Sequence, residues 1–148
     1  IYTPRTLFPY TTLFRSSGFY NQKAKRLIDL SGNILKDFQS FENFKQEVTR
    51  EWLLDQKGIG KESADAILCY VCAKEVMVVD KYSYLFLKKL GIEIEDYDEL
   101  QHFFEKGVQE NLNSALALYE NTISLAQLYA RFHGKIVEFS KQKLELKL

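Results

Sequence analysis

The chain is poor in the residues that mark several classes of protein. It has two cysteines, two prolines and two histidines in 148 residues, so a disulfide scaffold is not expected. No run of about 18 apolar residues occurs, which argues against a membrane-spanning helix. No signal peptide is visible. The formal net charge is zero, so any nucleic-acid binding must come from a local arrangement of charges.

The two cysteines have the CxxC spacing of redox and metal-binding motifs. They are Cys69 and Cys72, and neither a second cysteine pair nor a histidine cluster accompanies them. We interpret them as small apolar residues on a buried helix, while redox or metal chemistry stays open as the alternative. Either interpretation fits a reducing cytosol, and we expect a cytoplasmic protein.

The first 16 residues differ from the rest of the chain. Ile1–Ser16 contains both prolines and has neither an acidic residue nor a lysine, although the chain has 20 acidic side chains. It shows neither helical nor strand periodicity. We interpret it as a leader foreign to the domain, because it resembles translated sequencing-adapter sequence; a native disordered arm is the alternative. The domain is expected to occupy residues 17–148.

From Tyr20 onward the apolar spacing is helical, and short connections favour an all-α fold of packed helices. The predicted extended stretch is Val76–Val79. The predicted helices are Asn21–Phe38, a helix capped by Ser40, Arg50–Gln56, Lys61–Ala73, Lys81 to a stop at Gly91, Asp98–Glu110, about Leu116–Phe132, and Val137–Leu146. In Lys61–Ala73, the residues predicted to face inward are Ala64, Ile67, Leu68 and Val71.

Between two of these helices, two glycines flank one apolar residue. Gly58 and Gly60 can adopt positive φ at little steric cost, and Ile59 can fill the space between the helices. Backbone N–H groups at the start of the second helix would then be free to bind a DNA phosphate. The alternative is a plain helical turn that uses two glycines. The predicted phosphate-binding residues are Lys57, Gly58, Ile59, Gly60, Lys61 and Ser63.

This hairpin resembles that of the helix-hairpin-helix superfamily of DNA glycosylases, which includes endonuclease III. In that family an LPGVG-type hairpin is followed, at a set distance, by a catalytic aspartate in a VD motif. Here Lys57-Gly58-Ile59-Gly60 precedes Val78-Val79-Asp80 at the matching spacing, with Lys57 at the family's proline position. The resemblance runs from about Gly18 to the C-terminus and implies the family's all-α fold, with its N-terminal helices missing.

The resemblance makes Asp80 the candidate catalytic residue. Taken alone, an aspartate at a helix start is more often an N-cap, and Asp80 can serve both roles. A carboxylate suits glycosidic cleavage because it can stabilise positive charge on the sugar and orient or deprotonate the attacking water.

The family's nucleophilic lysine is replaced here by Glu62, which cannot form a Schiff base. The resemblance therefore implies a monofunctional glycosylase, although Lys61 or Lys81 could in principle substitute. The chain has no cysteine after Cys72, so we expect no four-cysteine iron–sulfur cluster and no other cofactor.

Glu62 and the missing cluster cysteines bring the chain nearest to bacterial 3-methyladenine DNA glycosylases. The segment from Gly18 to Leu27 also resembles theirs. Such enzymes flip the damaged base and read it by aromatic stacking, largely with helices that would precede this chain. Of the other site candidates, Lys135 is a weaker catalytic candidate, because the family's C-terminal helix returns to the pocket; the alternative is a solvated surface lysine. His133 is interpreted as structural. Tyr82, Tyr84 and Phe132 are expected to pack in the core.

The expected function is therefore removal of alkylated purines from double-stranded DNA by a monomeric enzyme. The alternatives are a non-catalytic helix-hairpin-helix DNA-binding module, a glycosylase/lyase of other base specificity, and an all-helical interaction domain. Since the resemblance implies that the chain supplies one lobe and the C-terminal helices, we expect it to be inactive or very weak by itself.

Overall fold

The computed structural model describes residues 18–120 and 122–142, and the predicted leader Ile1–Ser16 lies outside them. The described residues contain no β-strand, so the predicted all-α class is confirmed. No helix among them is long and apolar enough to cross a bilayer. The α-helices are α1 Tyr20–Phe38, α2 Phe41–Glu47, α3 Arg50–Leu54, α4 Lys61–Ala66, α5 Lys81–Lys89, α6 Tyr97–Glu110, α7 Leu112–Leu116 and α8 Leu125–Lys141; a π-helical turn spans Ile67–Val71.

The chain divides into two compact units, the first ending at Gly58 and the second beginning at Ile59. In the first unit, side-chain caps set the helix starts: Ser40 Oγ accepts from Asn43 N, and Thr49 Oγ1 accepts from Trp52 N. The predicted cap at Ser40 is thus confirmed. Such caps satisfy N–H groups that the first helical turn leaves without partners.

An aromatic cluster holds the first unit together. Phe44 is buried and lies edge-on to Phe38 and Trp52, with ring centroids 5.4 and 5.9 Å away. Trp52 Nε1 donates to Asp37 Oδ2 at 3.0 Å, which satisfies the polar end of the indole. These contacts tie the end of α1 to α2 and α3.

In the second unit, the predicted helix Lys61–Ala73 differs from the observed backbone. After α4 the chain widens into the π-turn, where Cys72 N donates to the Ile67 carbonyl five residues back. The wider turn changes the direction of later side chains. Val71, predicted to face inward, is exposed as a result, whereas Leu68 and Cys69 are buried.

The predicted extended stretch Val76–Val79 has no helical or strand assignment, and Met77, Val78 and Val79 are almost fully buried. Its backbone is held by α6: Glu105 Oε1 accepts from Met77 N at 3.0 Å, and Gln101 Nε2 donates to the Met77 carbonyl at 2.7 Å. Asp80 then starts α5, so this buried segment positions that residue.

The predicted helix over about Leu116–Phe132 was wrong. Of the predicted helix Val137–Leu146, residues 137–141 are helical but continue a longer helix, and residues 143–146 lie outside the described part of the chain. The chain forms the short α7, leaves the helical conformation, and restarts at Ser124, whose side chain caps α8 by a capping box with Gln127. From there α8 runs unbroken through Gly134 to Lys141. Burial of Tyr129 and Ile136 on one face supports the longer helix despite its glycine.

Candidate active site

The first unit ends at Gly58, so the first part of the hairpin loop belongs to that unit. Gly58 has φ +86°, which side-chain-bearing residues rarely adopt. The Arg26 side chain packs against it: Cδ and Cζ of Arg26 lie 2.6 Å from the point where a Cβ on residue 58 would stand. The backbone angle favours glycine, and a Cβ at this position would also displace the end of the flexible Arg26 side chain. Lys57 beside it is exposed.

In the second unit, Gly60 is the N-cap of α4 with an extended backbone, φ −98° and ψ 178°. Of the two hairpin glycines, Gly58 is therefore the one in the left-handed region. Ile59 is half-buried and Ser63 is exposed. Lys61 forms an ion pair with Asp98 on α6, so this predicted phosphate-binding lysine already has an acidic partner.

We expect Gly58→Ala to lower the free energy of unfolding by about 1–3 kcal/mol, from a strained backbone and displacement of Arg26. The matched control is Gly32→Ala in α1 of the same unit. Gly32 has open space around its Cβ position, so alanine there should raise stability by up to about 1 kcal/mol through helix propensity. Denaturant unfolding of both variants checks the prediction, and equal effects of the same sign would contradict it.

Asp80 caps α5 with one of its two carboxylate oxygens. Oδ1 accepts hydrogen bonds from Ser83 N at 2.9 Å and Ser83 Oγ at 3.2 Å, while Asp80 N donates back to Ser83 Oγ. Ser83 is fully buried, so the packing around it restricts movement of this capping box. The predicted capping role of Asp80 is present, and Oδ2 is left for other partners.

Oδ2 faces a histidine that sequence reasoning had interpreted as structural. His133 Nε2 lies 3.5 Å from Asp80 Oδ2, and both side chains are about one-seventh exposed, 13 % and 15 %. On the other side of the ring, Tyr70 Oη lies 2.5 Å from His133 Nδ1. Because Tyr70 is on the π-turn and His133 on α8, only the fold brings these residues together; their sequence spacing carries no such signal.

A small acidic cavity of about 240 Å³ opens beside Asp80. Glu62, at the family's lysine position, lines the same cavity, so the structure places that position beside the candidate catalytic carboxylate. The remaining lining residues are Lys81, Tyr84, Glu95, Tyr97 and Leu100. Three carboxylates against one lysine make this lining favourable for a positively charged ligand.

The pKa of the Asp80 carboxyl reflects opposing effects. Burial raises the pKa, but the attraction between the carboxylate and the His133 ring, together with the hydrogen bonds from Ser83, outweighs it, so the net shift is downward. Asp80 is therefore ionised at neutral pH, the form required to stabilise a cation or accept a proton.

The weaker candidate Lys135 lies elsewhere on α8. Its side chain is 75 % exposed and pairs with Glu138 at 3.2 Å, so it is His133, two residues earlier, that reaches Asp80. Tyr84 and Phe132 are partly buried against the core, as expected. Tyr82 is half-buried and its ring lies near Lys141.

The two cysteines are free thiols. Burial raises the pKa of Cys69 to about 11, and Asp65 adds to the shift, so this thiol stays protonated and unreactive at neutral pH. Among the described residues, no group of three or more histidine, cysteine, aspartate or glutamate side chains could hold a metal ion.

Comparison with known proteins finds relatives of this chain, although no family model matches it. The chain is 34 % identical over 137 residues to a Methanocaldococcus jannaschii protein provisionally assigned as a DNA repair glycosylase. The aligned region covers 88 % of this chain and 56 % of that protein. It is 30 % identical over 80 residues to endonuclease III of Rickettsia prowazekii, covering 53 % of this chain and 35 % of the enzyme.

Among solved structures, the chain is similar to the H. pylori 3-methyladenine DNA glycosylase MagIII bound to 1,N6-ethenoadenine. The identity is 93 % and the TM-score 0.91, over 95 % of this chain and 65 % of that one. The chain therefore spans less than two thirds of each of these three proteins. Together with the hairpin and the spaced VD motif, these similarities confirm that the chain belongs to the helix-hairpin-helix superfamily of DNA glycosylases.

Proposed function

We propose that this chain carries the DNA-backbone-binding hairpin and the catalytic carboxylate of a DNA glycosylase that releases alkylated purines. The observation that carries the proposal is Asp80 in its acidic cavity: one oxygen caps α5, and the other stays ionised and free of the cap. The 93 % identity to a 3-methyladenine DNA glycosylase supports the choice of substrate class.

The proposed reaction is hydrolysis of the N-glycosidic bond. The electron pair of the breaking bond leaves with the base, and positive charge develops on the sugar. Water forms the new bond to C1′, and its proton passes to Asp80 Oδ2. Since alkylated purines such as 3-methyladenine are cationic, the leaving group needs little activation, and a negatively lined cavity favours both the substrate and the transition state.

Glu62 supports release of the damaged base without cleavage of the DNA strand. A carboxylate at this place in the cavity has no amine to form a Schiff base with the sugar. We expect no stable adduct when the protein is mixed with damaged DNA and borohydride. A covalent protein–DNA adduct would show that Lys61 or Lys81 acts as a nucleophile and would overturn the monofunctional assignment.

Phosphate binding is assigned to the hairpin residues Lys57, Gly58, Ile59, Gly60, Lys61 and Ser63. Lys57 and Ser63 are exposed, as a backbone contact requires. We expect Lys57→Gln to weaken binding to any duplex and to reduce the slope of log affinity against log salt by about 0.9. Lys36→Gln, which removes an exposed lysine from α1 of the same unit, is the control and should have a smaller effect.

The decisive experiment compares this chain with a fusion that supplies the rest of the H. pylori protein. Each is incubated with a duplex containing one 1,N6-ethenoadenine or 3-methyladenine, and the free base is measured. We expect release by the fusion and little or none by this chain, which covers 65 % of the H. pylori protein. Salt-dependent binding without base release by the fusion would favour a non-catalytic DNA-binding module.

The proposal also includes a monomeric, cofactor-free protein that acts in the cytoplasm. Glycosidic hydrolysis as written uses only water and a carboxylate, so it requires neither metal nor redox chemistry. Dialysis against a chelator should leave base release by the fusion unchanged.

A further inference from the structure

The structure leaves one buried polar atom beside Asp80 without a hydrogen bond. Among the described residues, His133 Nε2 has no hydrogen-bond partner although it is buried. It points at Asp80 Oδ2 from 3.5 Å, longer than a normal hydrogen bond but within ion-pair range. A buried donor of this kind is costly unless it is used, and the atom it faces is the carboxylate oxygen not occupied by the helix cap.

We infer that His133 is a positioning residue for Asp80: its Nε2–H fixes Oδ2 of the carboxylate, and Tyr70 holds the ring in that orientation. The inference rests on the proposed function of Asp80. Ser83 holds Oδ1 from the α5 side, and His133 holds Oδ2 from the α8 side. Contacts on both oxygens fix the plane of the carboxylate, so it meets a flipped nucleotide in a constant orientation.

The hydrogen bonds of Tyr70 determine which ring nitrogen carries the proton. Tyr70 Oη lies 2.5 Å from His133 Nδ1 and 3.4 Å from the Ala130 carbonyl. If the hydroxyl donates to Nδ1, the neutral ring must carry its proton on Nε2, facing Asp80. If the ring is protonated, Nδ1–H donates to Tyr70, whose proton turns to the Ala130 carbonyl. In both charge states, Nε2–H faces Oδ2.

Among the described residues, Asp80 is the acidic side chain within ion-pair distance of His133. The elements packed against α8 include α5 and the π-turn, and α6 contacts α8 at the Phe132 ring and the Tyr129 hydroxyl. The titratable groups of the π-turn are Cys69, which donates to the Ala126 carbonyl, and Tyr70. Burial raises the pKa of Tyr70, with contributions from Cys69 and Asp80, so its hydroxyl keeps the proton that the arrangement needs.

On the α5 side, Asp80 is the group in contact with His133, while Lys81 is exposed and Tyr82 lies by Lys141. On α8 itself, Lys135 pairs with Glu138 and Arg131 lies over Tyr119. Removing the Asp80 charge should therefore change the electrostatic environment of the His133 ring directly.

The test uses NMR of this chain and needs no enzymatic activity. The chain has two histidines, and the other, His102, is exposed on α6. We expect the neutral His133 ring to carry its proton on Nε2, and Asp80→Asn to shift the ring nitrogen and proton resonances of His133, because the variant removes the carboxylate oxygen that Nε2 faces. The resonances of His102 should not change. A proton on Nδ1, or equal shifts of both histidines, would overturn the inference.

Tyr70→Phe provides a second NMR test. Removing the hydroxyl takes away the donor to Nδ1, so we expect part of the His133 population to move its proton from Nε2 to Nδ1. An unchanged proton position would contradict the role assigned to Tyr70. Thermal unfolding of the variant, compared with the parent chain, checks that the fold is retained.

Activity of the fusion described above separates this inference from the proposed function. We expect His133→Leu to lower kcat at least tenfold with little change in KM, and His133→Gln, whose amide can donate near the Nε2 position, to recover most of that loss. If Asp80→Asn abolishes base release but His133→Leu does not lower it, the inference fails and the proposed function stands. If the fusion releases no base, the proposed function fails, and the NMR result still decides whether His133 pairs with Asp80.

Discussion

Asp80→Asn is expected to reduce base release by about 10²–10⁴-fold, the range typical of a single positioned acid–base group. The variant removes the negative charge and the proton-accepting oxygen while keeping the size of the side chain. DNA affinity should remain within about threefold, because the phosphate contacts are assigned to the hairpin. Single-turnover base release and duplex binding by the fusion with the rest of the H. pylori protein measure the two quantities.

The capping role of Asp80 makes the choice of variant important. Asparagine is as good an N-cap as aspartate, so its side-chain oxygen can still accept from Ser83 N. Asp80→Ala loses the cap and should lower the free energy of unfolding by about 1 kcal/mol more than Asp80→Asn. If Asp80→Asn kept full base release while remaining folded, the catalytic assignment would be wrong, whatever the effect of the alanine variant on stability.

The sign of the pH dependence follows from the lowered pKa of Asp80. Burial opposes the shift, but His133 and Ser83 outweigh it, so the folded pKa lies below the ordinary value. A group of this kind stabilises the fold above its unfolded pKa of about 3.9. That stabilisation disappears as pH falls through the folded pKa. The stability difference between the parent chain and Asp80→Asn should therefore be present at pH 6 and vanish in strong acid.

The sequence could predict the parts of this site that depend on local pattern. Positive φ at Gly58 and the cap at Asp80 follow from short-range rules on glycine and side-chain acceptors, and both are present in the structure, whereas Gly60 is extended. The family resemblance then turned a common N-cap into a catalytic candidate. It also identified Glu62, whose position beside the Asp80 cavity the structure supplies.

The parts that were missed depend on long-range packing or on backbone irregularity. His133 is 53 residues beyond Asp80 in the sequence and reaches it through the packing of α8 against α5. Tyr70 points toward His133 from the π-turn. The residue inserted in this turn shifts the later side chains out of the regular 3.6-residue period on which the prediction was based. The same irregularity explains why Val71, predicted to be buried, is exposed.

The helix boundaries after Glu110 were missed for a different reason. Ser124 is a good N-cap, but Leu116 and the residues after it also have helical apolar spacing, so the pattern alone did not mark the break. The predicted break between Phe132 and Val137 contains Gly134, but α8 is continuous there, because packing on Tyr129 and Ile136 outweighs the cost of one glycine, about 1 kcal/mol.

Gln101→Met is expected to lower the free energy of unfolding by about 2–4 kcal/mol, the largest stability effect predicted for the second unit. Gln101 Nε2 donates to Asp65 Oδ2 at 2.9 Å and to the Met77 carbonyl at 2.7 Å. Asp65 and Met77 are fully buried. Methionine keeps the length and helix propensity but donates nothing, so Met77 loses this donor while Asp65 keeps that of Tyr97. The lost bond to the buried Met77 carbonyl costs about 1–3 kcal/mol, and the lost bond to Asp65 adds about 1 kcal/mol.

Gln109→Met is the matched control, because the same substitution on the same helix removes a single donor, to Tyr129 Oη at 3.1 Å. It should cost about 1 kcal/mol, the usual net value of one neutral hydrogen bond. Denaturant unfolding compares the variants, and amide exchange at Met77 and Val79 reports whether the segment before Asp80 loosens. If both glutamine variants cost the same and exchange at Met77 is unchanged, Gln101 does not hold this segment, and the placement of Asp80 depends on its cap and on the Glu105 bond to Met77 N.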